Sequence, residues 1–136
     1  MSGTIRLQPA GLELRIVDGR TLYSHVVITQ PGRQVFVSGQ LAKDADGNIV
    51  GRGDMAAQIR QVGENIRIAL EAAGATLADI VQSRTYVTYI AEYFRHSEAR
   101  MQTLGPGMPT STTVQVSGLA HPDFLVEVEV VATLRG

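Results

Sequence analysis

The run Phe124-Leu125-Val126-Glu127-Val128-Glu129-Val130-Val131 alternates in a way that only a half-covered strand allows. Successive side chains of a strand point to opposite faces, so Phe124, Val126, Val128 and Val130 share one face. Leu125, Glu127, Glu129 and Val131 share the other. A strand buried on both sides reads instead as unbroken apolar sequence. This strand therefore belongs to a sheet with one face packed and the other left to water or to a second subunit.

What packs on the apolar face is also legible. Between Asp54 and Ala73, apolar residues fall at three- and four-residue spacings: Ile59, Val62, Ile66, Ala69, Leu70 and Ala73. That spacing makes one stripe along a helix. Asp54 can cap its start, and Gly74 suits its stop. Val26 to Ile28 and Val35 to Gln40 read as strands around the turn Gln30-Pro31-Gly32-Arg33, followed by a tight turn at Asp44 to Asn48 and an extended piece at Ile49-Val50. Thr76 with Asp79 has capping-box spacing. A strand follows from Ile80 to Tyr89, in which Val81, Ser83, Thr85, Val87 and Tyr89 share a face. A second helix spans Ala91 to Leu104 and ends at Gly105-Pro106-Gly107, where Pro106 blocks continuation. The strand from Thr110 puts Thr112, Val114 and Val116 on one face and Ser111, Thr113, Gln115 and Ser117 on the other. The valine face is the expected helix-covered one. The order β-β-β-α-β-α-β-β predicts an α+β subunit with a mixed sheet and both helices on one face.

Composition narrows the function. The 136 residues, 44% hydrophobic and 18% charged, suit one globular domain, spanning 1–136, with a single core. A net charge of −1 gives no electrostatic reason for a nucleic-acid or acidic-membrane partner. Without cysteine there is no disulfide framework, no thiolate metal site and no cysteine nucleophile. Neither a leader-like apolar segment nor a membrane-length run is visible, so a cytoplasmic location is expected.

Familiar catalytic patterns are missing. His25, His96 and His121 lack metal-ligand spacing. The Asp44 to Asn48 turn imitates the start of a calcium loop, but its twelfth position is Met55, which offers no oxygen. What remains is Glu127 with the hydroxyls of Ser111, Thr113 and Tyr23. These read either as a site or as a solvated carboxylate beside ordinary strand-forming residues.

The segments Phe36 to Leu41 (FVSGQL), Gln58 to Val81, Thr85 to Val87 (TYV) and Pro109 to Glu129 (PTSTTVQV…LVEVE) resemble the Rid family. These are the YjgF-type reactive intermediate deaminases, also labelled L-PSP endoribonuclease-like. The resemblance runs from about Tyr23 to the end. It implies a homotrimer of chorismate-mutase-like subunits with clefts between neighbours. It also implies hydrolysis of small enamines and imines to ketoacid and ammonia, with no metal or cofactor. Carried over by position, the cleft holds Tyr23, Ser38 and the backbone at Gly39, with Thr113 and Glu127 as catalytic residues sharing one strand face. Ser97 stands where the family often has asparagine. The family's Pro-x-Arg triplet, whose arginine grips the substrate carboxylate, is here Pro109-Thr110-Ser111, so Ser111 replaces the arginine. Serine offers one neutral hydroxyl where guanidinium offers a charged two-pronged donor. Arg100, one helical turn beyond Ser97, is either an exposed arginine or a cation that takes over from elsewhere.

Two functions follow from the resemblance. One is a metal-independent C=N hydrolase with atypical substrate recognition. The other is a non-catalytic trimer that binds a small metabolite or regulates a partner. Cleavage of RNA, implied by the family's second label, lacks a basic stripe or an aromatic platform in this sequence.

Overall fold

The computed structural model describes residues 3–134. Six strands occur among them: β1 Ile5–Leu7, β2 Val26–Ile28, β3 Gln34–Leu41, β4 Ile80–Val87, β5 Thr110–Gln115 and β6 Val126–Thr133. The helices are α1 Met55–Ala72, α2 Ile90–Phe94 and α3 Ser97–Leu104, with single 3-10 turns at Leu77–Asp79 and Gly105–Gly107. The main sheet runs β3-β6-β4-β5, and β1 and β2 pair separately. β6 is antiparallel to both neighbours, whereas β4 and β5 are parallel, so the sheet is mixed as expected.

α1 forms where the stripe placed it. Asp54 caps it by accepting from the Ala57 amide at 3.0 Å, and Gly74 leaves it at φ +83°. Ile59, Val62, Ile66 and Leu70 are buried against Val126, Val128, Val130 and Ala132 in one core. Fully burying each such side chain contributes about 1.5–3 kcal/mol, and this stripe decides which face of β6 is covered. Gln58, fully buried, accepts from the Leu125 amide at 2.8 Å. It donates to the carbonyls of Asp123 at 2.8 Å and Gly51 at 3.1 Å, which ties the helix to the loop entering β6. The Thr76–Asp79 capping box is present, with the Thr76 amide donating to Asp79 at 2.8 Å.

Four local expectations are corrected. Ile49 makes only an isolated bridge with Lys43, and the pairing ends there as Gly51 turns the chain at φ +77° toward α1. β2 does not form a hairpin with β3. It pairs with β1, in a stretch where only Ile5 and Leu7 suggest a strand. The second helix breaks at Arg95-His96 into α2 and α3, where the His96 ring meets Glu92 at 3.0 Å and Ser97 donates to Asp18.

The fourth correction matters most for function. β5 pairs with β4 in the register Ser83↔Ser111, Thr85↔Thr113 and Tyr86↔Val114. Paired residues share a face. Ser83 and Thr85 are buried on the helix side, so Ser111 and Thr113 lie on that side as well. Thr112 and Val114 are on the open face, the reverse of the expectation. Burial in β4 determines the facing of β5, and hydrophobicity within β5 does not.

Candidate functional site

Tyr86 pairs with both Val114 and Glu127, while Thr85 pairs with Thr113 and Val128. Glu127 and Thr113 therefore occupy opposite faces of one sheet. The expected shared face of these two residues is ruled out by the register, and the sequence-predicted residues divide into two groups.

The open-face group centres on Glu127. Between Val37 and Gln40 the β3–β6 register slips, so Ser38 and Gly39 together face Glu129. Such a bulge re-aims side chains locally. Gly39 lies against the end of the Glu127 side chain: a Cβ there would overlap its carboxylate. Glu127 is half-buried, and no described side chain donates a hydrogen bond to it. Glu129, two residues on, is committed elsewhere. It accepts from the Tyr86 hydroxyl at 2.7 Å, and Arg84 lies 4.0 Å away. That hydrogen bond, aided by desolvation, raises the Tyr86 phenol above its ordinary value. Ser38 lines a groove of about 370 Å³ on this face with Phe36, Gln82, Arg84 and Glu129. Of the two carboxylates, Glu127 is the one without a side-chain donor among the described residues.

The second group lies at the sheet edge on the helix side. Tyr23, Ser83, Tyr93, Arg100 and Ser111 line a cavity of about 40 Å³, closed by Leu22, Leu104 and Gly105. The chain before β2 is drawn over this edge. Ser24 donates to the Met108 carbonyl at 2.6 Å, and the Tyr23 hydroxyl accepts from the Arg15 amide at 3.0 Å. Ser97 is buried and donates to Asp18, so its hydroxyl holds the Asp18-Gly19 turn rather than lining the cavity.

Arg100 is not a solvated arginine. Its guanidinium lies 4.8 Å from the ring centres of both Tyr93 and Phe94. Its Nε and Nη1 are buried without a hydrogen-bond partner among the described residues, as is the Ser83 hydroxyl. Each unpaired buried donor costs about 1–3 kcal/mol, and each aromatic face returns about 0.5–2 kcal/mol. The two effects are comparable, so the rings hold the cation without satisfying it. Cation–π contact uses the faces of the guanidinium; hydrogen bonding uses its edge. Here the edge remains unused. Arg15 stacks on Phe94 as well, at 4.5 Å. The distinguishing features of Arg100 (aromatic Tyr93 and Phe94 just before it, burial of its donors) could not be read without knowing that the helix breaks at His96.

No helix among the described residues is long and apolar enough to cross a membrane. The family profile described as endoribonuclease L-PSP matches residues 16–134. A RutC family protein of Pyrococcus horikoshii is 33% identical over 110 residues, covering 81% of this chain and 85% of its own. Among solved structures, the Rid-family protein YyfB of Yersinia pestis superposes with a TM-score of 0.83 at 30% identity, over 97% of this chain and 99% of that one. Escherichia coli TdcF, solved with bound serine, gives a TM-score of 0.67 at 28% identity, covering 78% and 84%. Membership of this family supports a small-molecule deaminase or binding role. The profile match over residues 16–134 and the superposition along nearly the whole of a solved Rid-family chain together make it a member of the Rid, or endoribonuclease L-PSP, family.

Proposed function

We propose that the chain hydrolyses the C=N bond of a small imine, or of the enamine that tautomerises to it, in a cleft completed by a second copy. The observation that carries this reading is Glu127: half-buried, seated on Gly39 and without a side-chain donor among the described residues, while Glu129 beside it is tied to Tyr86. An imine carbon is already electrophilic, so the protein need only position water and move protons. Glu127 takes a proton from the attacking water and passes it to nitrogen. The C–O bond forms to give a carbinolamine; Glu127 then carries the hydroxyl proton to the amine, the C–N bond breaks as the carbonyl forms, and ketoacid and ammonia leave. The Ser38–Gly39 bulge places the carboxylate, Thr113 and Ser111 offer hydroxyls, and Tyr23 forms a wall. Ser97 acts indirectly, by holding the Asp18 turn.

Tyr23, Ser111 and Thr113 lie on the other side of the sheet from Glu127, so one chain does not bring both groups to one substrate. A homotrimer in which the open face of one copy meets the edge of the next solves this. Phe36 is 73% exposed on the open face, a position that favours such an interface. No cofactor or metal has a role in this scheme, and the cysteine-free chain suits the cytosol.

The test is ketoacid and ammonia release from freshly generated 2-imino acids, by the wild type and by Glu127→Gln. The proposal expects acceleration that the variant loses by a hundredfold or more, roughly the range of a general acid–base residue. The second reading, a non-catalytic metabolite-binding trimer, is favoured by the serine at position 111. It expects no acceleration from either protein.

A further inference from the structure

We infer that Arg100 is the anion-binding residue of this chain and that its ligand group is a single carboxylate, gripped from helix α3 and not from strand β5. The cavity beside Ser111 contains that one guanidinium, and both rings that hold it leave its hydrogen-bonding edge free. Among the described residues, Nε and Nη1 are buried without a hydrogen-bond partner, and Arg100 has no ion pair with a carboxylate. A second donor stands in the same cavity wall. Ser83, 1% exposed, has a hydroxyl without a partner among the described residues, and the exposed Ser111 lines the same cavity from the paired position on β5. Buried polar groups in native proteins are nearly always satisfied, so unpaired donors gathered around one cavity point to an acceptor that enters it.

Size and charge narrow the acceptor. At about 40 Å³ the cavity takes roughly three water-sized atoms, which is the count of a carboxylate and fewer than a phosphate needs. A guanidinium edge matches two coplanar oxygens, and a cavity lined by a single guanidinium suits a monoanion. Leu22, Leu104 and the Tyr23 ring supply apolar walls for the adjoining carbon. The strand arginine is thus replaced in kind, but the grip is drawn back from the strand surface to the cavity floor. For the imine reading, this makes Arg100 the residue that selects acids over neutral imines. The inference rests on that reading only for its purpose, not for binding itself.

The test uses unreactive probes. Propionate, propionamide and inorganic phosphate are titrated into wild-type protein while the Arg100 side-chain N–H resonance is followed by NMR. Propionate should shift that resonance and bind at least tenfold more tightly than either control. Arg100→Met keeps the apolar stem and should lose propionate binding at least tenfold. Adding Ser111→Arg to it should restore binding, because the charge returns from the strand. Equal binding of propionate and propionamide overturns the inference, as does unchanged propionate binding by a folded Arg100→Met. Tighter binding of phosphate overturns the carboxylate assignment. If Arg100→Met does not fold, the wild-type comparison decides alone. Propionate binding needs no turnover, so a protein that binds it but hydrolyses no imine separates failure of the hydrolase reading from failure of this one.

Discussion

At Gly39 the side chain of Glu127 takes the space that any Cβ would fill. The overlapping group is the far end of a flexible side chain, so Gly39→Ala should cost stability only about 1 kcal/mol or less. It should, however, push the carboxylate off its seat. The expected result is a loss of imine hydrolysis approaching that of Glu127→Gln, with a thermal melt close to wild type. Retained activity in Gly39→Ala would show that the position of this carboxylate is unimportant. Tyr86→Phe is the complementary change: it releases Glu129 and leaves Glu127 in place. Rates within about twofold of wild type are expected, since the lost hydrogen bond, worth about 1–2 kcal/mol, serves structure.

At the scale of elements, α3 is the part that carries the anion grip, and its seat against α1 is tight. A Cβ at Gly63 would overlap the side chain of Thr103, a buried residue whose hydroxyl donates to the Ala99 carbonyl at 3.0 Å. Alanine gains about 1 kcal/mol in helix propensity, but overpacking costs about 1–3 kcal/mol. Gly63→Ala should therefore be net destabilising in urea denaturation and should weaken propionate binding by shifting α3. The joint before α3 is sensitive to acid. Glu92 is held below its ordinary value of 4.5, first by the hydrogen bond from His96 and then by Arg95. A carboxylate lowered in the folded state contributes stability that is complete above the unfolded value and is lost as pH falls through the folded one. From about pH 5.5 to 3, the wild-type melting temperature should fall more steeply than that of Glu92→Gln.

The same elements show what was legible in advance. The α1 stripe, its Asp54 cap, the Thr76–Asp79 box and the two faces of β6 follow from local periodicity, and each is present. The facing of β5 does not, because at a sheet edge a valine is no more obliged to be buried than a threonine. The parallel register with β4 is a long-range fact, and it places Glu127 and Thr113 on opposite sides. Arg100 was recognisable as a candidate by its spacing from Ser97. Its burial, however, depends on the helix break and on a loop from the start of the chain.

For the molecule as a whole, the two-sided arrangement has one consequence for assembly. Phe36 and Val114 of β5 are exposed on a face that a solitary subunit leaves wet and that the proposed trimer would cover. Light scattering should give the mass of three chains at micromolar concentration. Phe36→Asp, which brings charge into that interface, should shift the protein toward monomer and remove hydrolysis, though every cavity residue is intact.

The most direct measurement mixes two inactive chains. Arg100→Met and Glu127→Gln are co-expressed under different tags, and trimers carrying both are assayed on 2-imino acids. If Arg100 of one copy works with Glu127 of the next, every trimer carrying both chains rebuilds one of its three sites, about a third of the total. Activity near that fraction of wild type is the predicted result. No activity above that of either variant alone would contradict a site drawn from opposite faces of two copies.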